Sequence, residues 1–519
     1  MMTKFRFLMA AIMLAGFVSC NKGNVDDIDG DDASNTHMVI TISAVDNTPG
    51  TKGAEDSGSV DPGTSDEFQV KTLDLFLFDG SGFVEHIALG AGDISGTTLP
   101  GGGGNVASAK TRKIAIDAGT YQIFTIANYG GVVPALSTGD PISDLRDALI
   151  GNATYTGGLI TPIPGTGLMM ASRTKDTGVA SPISNLTIDN THTVNNPAEL
   201  KVTMERVVAK LTLKSPAVDG TAITAANTYK VGTSDAECSI EVESFVVANL
   251  RNEGYIFRHA WDPTGSATGY GDIDDTPLQN DASNPFKYVW DPKSASKTYT
   301  GGSLAASYAT WYHRHVTTLS ASTMSNTISM SGYQSADNKL IGYCLENTAL
   351  ATSQRDGYST GVIFRAKITP ATEYFDNGGT LDSRTGSLHT VFYYGGKFYE
   401  TTAALVLDTN TPFNDVAELN GMTAKQMSDL GIEKYTDGIC FYNYWIKHQD
   451  NSDPTTMGMM EYGIVRNNTY RMQITEIKRP GEGDIFITPE DPNEKVNLYL
   501  SVEMSILPWF VRANDIVFD

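Results

Sequence analysis

Apolar residues recur at every second position in segment after segment of this chain, and that period constrains its fold more than any other feature. Met38-Val39-Ile40-Thr41-Ile42-Ser43-Ala44 alternates, as do Leu73-Asp74-Leu75-Phe76-Leu77-Phe78 and Ile114-Ala115-Ile116. Successive side chains of an extended chain point to opposite faces, so a period of two buries one face of a strand. The same reading predicts strands over 121–127, 200–204, 207–213, 240–247, 362–368, 390–394 and 470–477. Turn-forming clusters such as Asn47-Thr48-Pro49-Gly50 and the glycines of 101–104 punctuate them. Helix signals are few: 140–150, and 423–430 behind a Thr423-x-x-Gln426 capping box. The expected fold class is all-β with few short helices, built as β-sandwich domains.

The longest alternation lies near the C-terminus. Val496, Leu498, Leu500, Val502, Met504 and Ile506 occupy one phase, and Asn497, Tyr499, Ser501, Glu503 and Ser505 the other. This is a strand with one buried side. Pro508, which has no N–H to donate, interrupts it at Leu507-Pro508-Trp509, and a second extended piece follows over 514–519. Upstream, 480–495 is rich in Pro, Gly and acidic residues and reads as a flexible linker. The pattern leaves two roles open for the strand: closing its own sandwich, or serving another chain.

At the other end, Lys4 and Arg6 precede an apolar run over 7–18. That run falls short of the about twenty residues that span a bilayer and fits the h-region of a secretory signal. Phe17-Val18-Ser19-Cys20 resembles a lipobox, which implies a signal peptide over 1–19 and acylation of Cys20 as the mature N-terminus. The alternative is an ordinary signal peptide with a chance Cys. Residues 20–36 carry Asp26, Asp27, Asp29, Asp31 and Asp32 and read as a solvated tether. The run resembles the acidic signal that sorts lipoproteins to the cell surface in Bacteroidota. It lacks the D-x-D-x-D-G spacing of a calcium loop, so no metal site is assigned.

A chain of 519 residues can form two or three domains, and we place a boundary near Ser215. Lys and Arg number 37 against 60 Asp and Glu, a balance that repels phosphate backbones and argues against nucleic acid as a partner. Besides Cys20 there are Cys238, Cys344 and Cys440, far apart and without a C-x-x-C, so neither a disulfide framework nor a zinc site is indicated. Gly357-Tyr358-Ser359-Thr360-Gly361 matches the G-x-S-x-G nucleophile elbow, but the elbow must lead into a helix and 362–368 alternates like a strand. Ser359 therefore reads as a turn residue. His313-Arg314-His315 puts two imidazoles on one side of a possible strand, without a nearby carboxylate or Cys to complete a metal site. Phe441, Tyr442, Tyr444 and Trp445 read as buried strand aromatics, with a sugar-stacking platform as the competing role. No catalytic residue and no cofactor is assigned.

Segments 37–54, 121–130, 168–172 and 206–213, with Arg466-Asn467-Asn468-Thr469-Tyr470, Pro508-Trp509 and Asp515-Ile516-Val517-Phe518, resemble the Mfa-type fimbrial shaft pilin of Bacteroidales, a type V pilus subunit of the FimA/Mfa-like family. The region 221–359 has no such match. The resemblance implies two tandem transthyretin-like β-sandwich domains, here 37–214 and 215–479, followed by a linker and donor strand over 480–519. It also implies export as a lipoprotein, cleavage after the first strand by a surface protease, usually arginine-specific, and filling of the freed groove by a neighbour's C-terminal strand. Implied partners are identical pilin subunits, accessory fimbrial subunits, the outer membrane through the precursor's lipid, and host or bacterial surface ligands. No Arg occurs between Arg6 and Arg112, and the matching basic residue is Lys52, before Gly53. Either the protease accepts Lys, or the chain is an anchor or accessory pilin that keeps its first strand. A glycan-binding surface lipoprotein is the reading from a different class.

If Cys20 is the acylated residue, a Cys20→Ala precursor loses metabolic lipid labelling and no longer reaches the surface normally; unchanged labelling would rule the lipobox out.

Overall fold

The computed structural model describes residues 36–44, 64–95, 108–129, 134–150, 159–160, 167–172, 184–214, 223–231, 238–261, 288–333, 338–370, 374–375, 381–382, 390–494 and 500–508, apart from isolated positions within them. The chain is mostly β-strand, arranged as sandwiches, with four short α-helices among the described residues.

The first half forms a ten-stranded sheet. Its strands run in the order Gly82–Leu89, Leu73–Asp79, Gly119–Ala127, Met170–Ser172, Ala198–Arg206, His37–Ala44, Ser108–Thr111 and Ile94–Ser95. Ser184–Ile188 also pairs with Gly119–Ala127, and Ile114–Ala115 with His37–Ala44. Leu73–Asp79 shows how the period of two is used twice. Leu73, Leu75 and Leu77 lie in the sheet's own core with Met38, Ile40, Ile42, Ile123 and Val202. Phe76 and Phe78, in the opposite phase, join Phe124 and Ile126 in a second core that also holds Val208, Phe257 and Tyr343. A strand apolar in both phases is buried on both sides.

The second half is a sandwich in the strict sense. One sheet runs Lys339–Cys344, Ala209–Lys214, Asn468–Ile477, Leu500–Pro508, and the other Ile223–Ala225, Thr228–Val231, Cys238–Ala248, Gly361–Pro370, Ile439–Trp445. Their inner faces share one core, with Leu211, Leu213, Tyr470 and Met472 against Val242, Phe245, Phe364 and Tyr442. Ala209–Lys214 thus pairs only with strands of the second half, parallel to Asn468–Ile477 and antiparallel to Lys339–Cys344. Sheet membership changes at Val207-Val208, whose side chains are buried in the seam. The alternation over 207–213 runs through this step unbroken, because both sides of the division are apolar.

A small α/β annex interrupts the second sandwich between Gly361–Pro370 and Ile439–Trp445. Strands Tyr374–Phe375, Leu381–Asp382, Thr390–Tyr394, Lys397–Tyr399 and Glu433–Thr436 form its sheet. Helices Thr402–Leu407, Val416–Gly421 and Ala424–Asp429 cover it, burying Leu405, Leu419 and Met427 against Phe392 and Ile432. The predicted capping box is present, with the Thr423 hydroxyl accepting from Gln426 N. The helix predicted over 140–150 is shorter, Ile142–Arg146. Leu149–Ile150 is drawn instead into a strand pair with Gly254–Tyr255 from the second half, a tertiary contact overriding local preference.

Buried charges fasten the seam. Arg466, 1% exposed, donates to the carbonyls of Ile256 and Tyr255 at 2.8 Å each and pairs with Glu346 at 2.8 Å. Glu67, fully buried, pairs with Lys210 at 2.8 Å and accepts from the Tyr343 hydroxyl. Its carbonyl accepts from Arg206 Nε at 2.8 Å.

Arg466→Met leaves Glu346 buried without its cation and two seam carbonyls without a donor. A loss of about 3–5 kcal/mol is expected from the denaturant midpoint, with partial recovery in Arg466→Met/Glu346→Gln.

Candidate functional site in the first and last strands

His37–Ala44 does not sit at an edge. It pairs parallel with Ala198–Arg206, in the register Met38↔Ala198 to Ala44↔Met204. On its other side it pairs antiparallel with Ser108–Thr111, Ile42 opposite Ala109, and with Ile114–Ala115, Met38 opposite Ile114. Met38, Ile40 and Ile42 are buried in the core, Val39 is buried on the opposite face and Thr41 is half-buried. Side chains help hold the backbone: Ile40 N donates to the Thr111 hydroxyl at 3.0 Å. His37 N donates to the His192 carbonyl at 2.7 Å, and Ile116 N to that of Thr36 at 2.9 Å. Withdrawing this one strand would leave Ala198–Arg206 and Ser108–Thr111 each with an unpaired edge, facing a groove lined by Leu200, Val202, Ala109 and Ile114.

Lys52 and Gly53, like Cys20, lie outside the described residues. The chain returns at Thr64, whose N–H donates to the Glu67 carboxylate at 2.8 Å. The Glu67 clamp therefore fixes the chain on the far side of that segment, independently of the first strand.

The last strand, Leu500–Pro508, pairs antiparallel with Asn468–Ile477 and has one neighbour in the sheet order, among the described residues. Its register sets Leu500 opposite Ile477, Val502 opposite Ile474, Met504 opposite Met472 and Ile506 opposite Tyr470. All four partners are buried core residues, so the apolar phase of the sequence coincides with the buried phase of the neighbouring strand. Val496 and Leu498 lie outside the described residues.

The segment before it differs from the predicted flexible linker. Residues 480–494 form a strap bonded along the second sandwich. Glu482 and Phe441 exchange backbone hydrogen bonds at 2.8 and 3.0 Å, and Gly357 N donates to Pro489 O at 2.8 Å. Tyr435 donates to Gly481 O at 2.8 Å. Gly481 and Gly483 are there for close approach, since an added Cβ would lie 2.3 Å from Phe441 O and 2.2 Å from Lys434 O. At its end Glu494 takes Lys447 at 3.2 Å and the Tyr462 hydroxyl at 2.7 Å. A Gly- and Pro-rich composition here encodes a close-lying backbone, not a free one.

The remaining candidates resolve into packing roles. Ser359 is buried, donates to Asn493 Oδ1 at 2.6 Å, and is followed by the strand Gly361–Pro370 rather than a helix. The strand holding His313 ends there. Arg314 has φ of 50°, and His315 caps a short 3-10 turn, its ring accepting from Thr317 N. That break replaces the predicted arrangement of two imidazoles on one strand face. Phe441, Tyr442, Tyr444 and Trp445 are all buried. Cys238, Cys344 and Cys440 are buried thiols, and burial pushes Cys344 and Cys440 up to about 12. Sequence reading missed the Glu67–Lys210–Tyr343 clamp, whose members are far apart in the chain and follow no spacing rule. It did single out Arg466-Asn467-Asn468-Thr469-Tyr470, where Asn467 takes a positive φ of 58° and Tyr470 packs in the core under the last strand.

Residues 38–206 match the family model of the major fimbrial subunit protein FimA, and residues 433–515 that of major fimbrial subunit protein type IV, Fimbrillin, C-terminal. The two matches fall in chain order on the sheet of the first strand and on the sheets around the last. Both are models of fimbrial subunit proteins, so in these two regions the chain is similar to FimA/Mfa-like fimbrial subunits. Among solved structures the chain is similar to a fimbrilin (fimA) of Porphyromonas gingivalis W83, at 13% identity over 93% of this chain and 100% of that one, with a TM-score of 0.37. It is also similar to the tip fimbrial protein Mfa3 of Porphyromonas gingivalis, at 12% identity, 91% and 100% coverage and a TM-score of 0.33. A candidate cell adhesion protein of Parabacteroides distasonis gives 13% identity, 92% and 99% coverage and a TM-score of 0.40.

Proposed function

We propose that this chain is a fimbrial pilin exported as a lipoprotein through Cys20, clipped near Lys52-Gly53, and polymerised by exchange of its C-terminal strand into the groove vacated by a neighbour's first strand. The observation that carries the reading is the first strand's position. It is buried and lies between two strands that would lose their partner, and the next described residues of the chain, Thr64 and Glu67, are held by contacts of their own. A cut in that segment would let the strand leave while Glu67 keeps the new terminus docked.

The last strand has the length and phase to replace it. Six apolar side chains buried at about 1.5–3 kcal/mol each give roughly 9–18 kcal/mol, an upper bound before ordering costs. In the isolated subunit it rests along Asn468–Ile477, an edge pairing that leaves its outer side open, so transfer exchanges one ladder for a groove bounded on two sides. The strap ending at Glu494 holds the chain on the second sandwich before the last strand begins. Partners are accordingly identical or accessory fimbrial subunits, and the location is the fimbrium, with the precursor held at the outer membrane by its lipid. Lys in place of Arg at the cut keeps an anchor or accessory role as the second reading.

N-terminal sequencing of surface polymer is expected to start at or near Gly53; polymer that retains the His37–Ala44 strand overturns clipping and favours the anchor role.

Deleting residues 496–519 is expected to leave a folded monomer that cannot extend a polymer. Leu500→Asp, a charge in the apolar phase, abolishes assembly, whereas Ser501→Asp in the other phase is tolerated. Sedimentation and electron microscopy read both, and a deletion variant that still polymerises overturns strand donation.

A further inference from the structure

The second sandwich contains a buried polar group that neither the fold nor strand exchange requires. Asp291, Lys297, Asn347 and Arg251 are each at most 2% exposed. Lys297 Nζ donates to Asp291 Oδ2 at 2.5 Å, to Asn347 Oδ1 at 2.7 Å and to the Thr348 carbonyl at 2.7 Å. The amide nitrogen of Asn347 donates to the Tyr358 carbonyl and the Thr360 hydroxyl, both at 2.8 Å. Those acceptors settle the orientation of the amide, leaving its carbonyl towards the lysine. Asp291 also accepts from Thr348 N at 2.8 Å and Ser294 Oγ at 2.9 Å, and Arg251 Nε lies 3.4 Å from its other oxygen. Two buried cations thus share one fully buried carboxylate, with the part-exposed Glu253 3.7 Å from Arg251 as the next acid.

We propose that Lys297 and Asn347 join in an intramolecular isopeptide bond, with Asp291 as the proton carrier.

Lys297 passes one ammonium proton to Asp291 Oδ2, and the freed lone pair on Nζ attacks Asn347 Cγ. The Nζ–Cγ bond forms and the Cγ–Nδ2 bond breaks. Nδ2 leaves with the second Nζ proton as ammonia and takes up the proton held by Asp291, departing as ammonium. Nothing is oxidised or reduced. Three features of the site favour the step. Burial, the largest influence, pushes the Lys297 ammonium down to about 7, so the free amine is within reach at neutral pH. Burial works to raise the Asp291 carboxyl, but Lys297 and Arg251 outweigh it and hold it down at about 2, so a proton it takes from Lys297 is held only transiently and passes readily to the leaving nitrogen. Finally, the product removes the Lys297 charge and leaves Asp291 paired with Arg251, one buried anion with one buried cation. The bond would tie the excursion that carries Tyr288–Val289 and Tyr299–Thr300 to the segment following Lys339–Cys344, closing a loop between residues 50 apart in sequence.

Mass spectrometry of the full chain tests this. The folded wild-type protein is expected to weigh less than its sequence by one ammonia, about 17 Da. Proteolysis should yield one branched peptide containing both Lys297 and Asn347. Lys297→Met, which removes the nucleophile and leaves Asp291 with Arg251, should restore the full mass and two separate linear peptides. Wild-type chain of full mass with Lys297 and Asn347 on separate peptides overturns the proposal, and so does a mass deficit that persists in Lys297→Met.

Discussion

The parallel ladder between His37–Ala44 and Ala198–Arg206 is the constraint on which the first half depends. It brings the beginning of the described chain against the last strand before the seam, so the sheet closes only when both are in place. Parallel partners need a long connection, and everything between these two strands is that connection. The strand is therefore late to be placed and central once it is placed. Its burial supplies core, with Met38, Ile40 and Ile42 packed among the sheet's other apolar residues.

Around that strand the two halves are joined. The double burial of Leu73–Asp79 and Gly119–Ala127 fuses the two halves into one packed body, and Glu67 locks the same seam by pairing with Lys210. The strap over 480–494 then delivers the last strand from a defined point at Glu494. Buried ion pairs are weak sources of net stability but are costly to break singly, which suits a seam that must not slip. The Lys297–Asn347 contact belongs to the second sandwich.

The alternating segments are legible from residue order alone. Strands at 38–44, 73–78, 121–127, 362–368 and 470–477 fall where the period of two puts them, because that pattern is useful only to a half-buried extended chain. The capping box at Thr423 is legible for the same kind of reason: both partners are local. The strap is not, since bulk composition cannot distinguish glycines that confer freedom from glycines that admit a neighbouring carbonyl at close range. Nor is the end of the strand at His313, which depends on a left-handed Arg314 held by the surrounding fold.

The sequence by itself determined the fold class, the phase of each strand and the apolar ladder of the last strand, because side-chain direction along an extended chain is a local property. Only the tertiary structure decided which strands are neighbours, that sheet membership changes at Val207-Val208, and that His37–Ala44 is interior while Leu500–Pro508 has one neighbour among the described residues. It alone assembled Glu67 with Lys210 and Tyr343, and Lys297 with Asp291 and Asn347. Strand order and buried polar clusters arise from contacts between residues tens to hundreds of positions apart. A period of two states which face is buried and carries no information about what it is buried against.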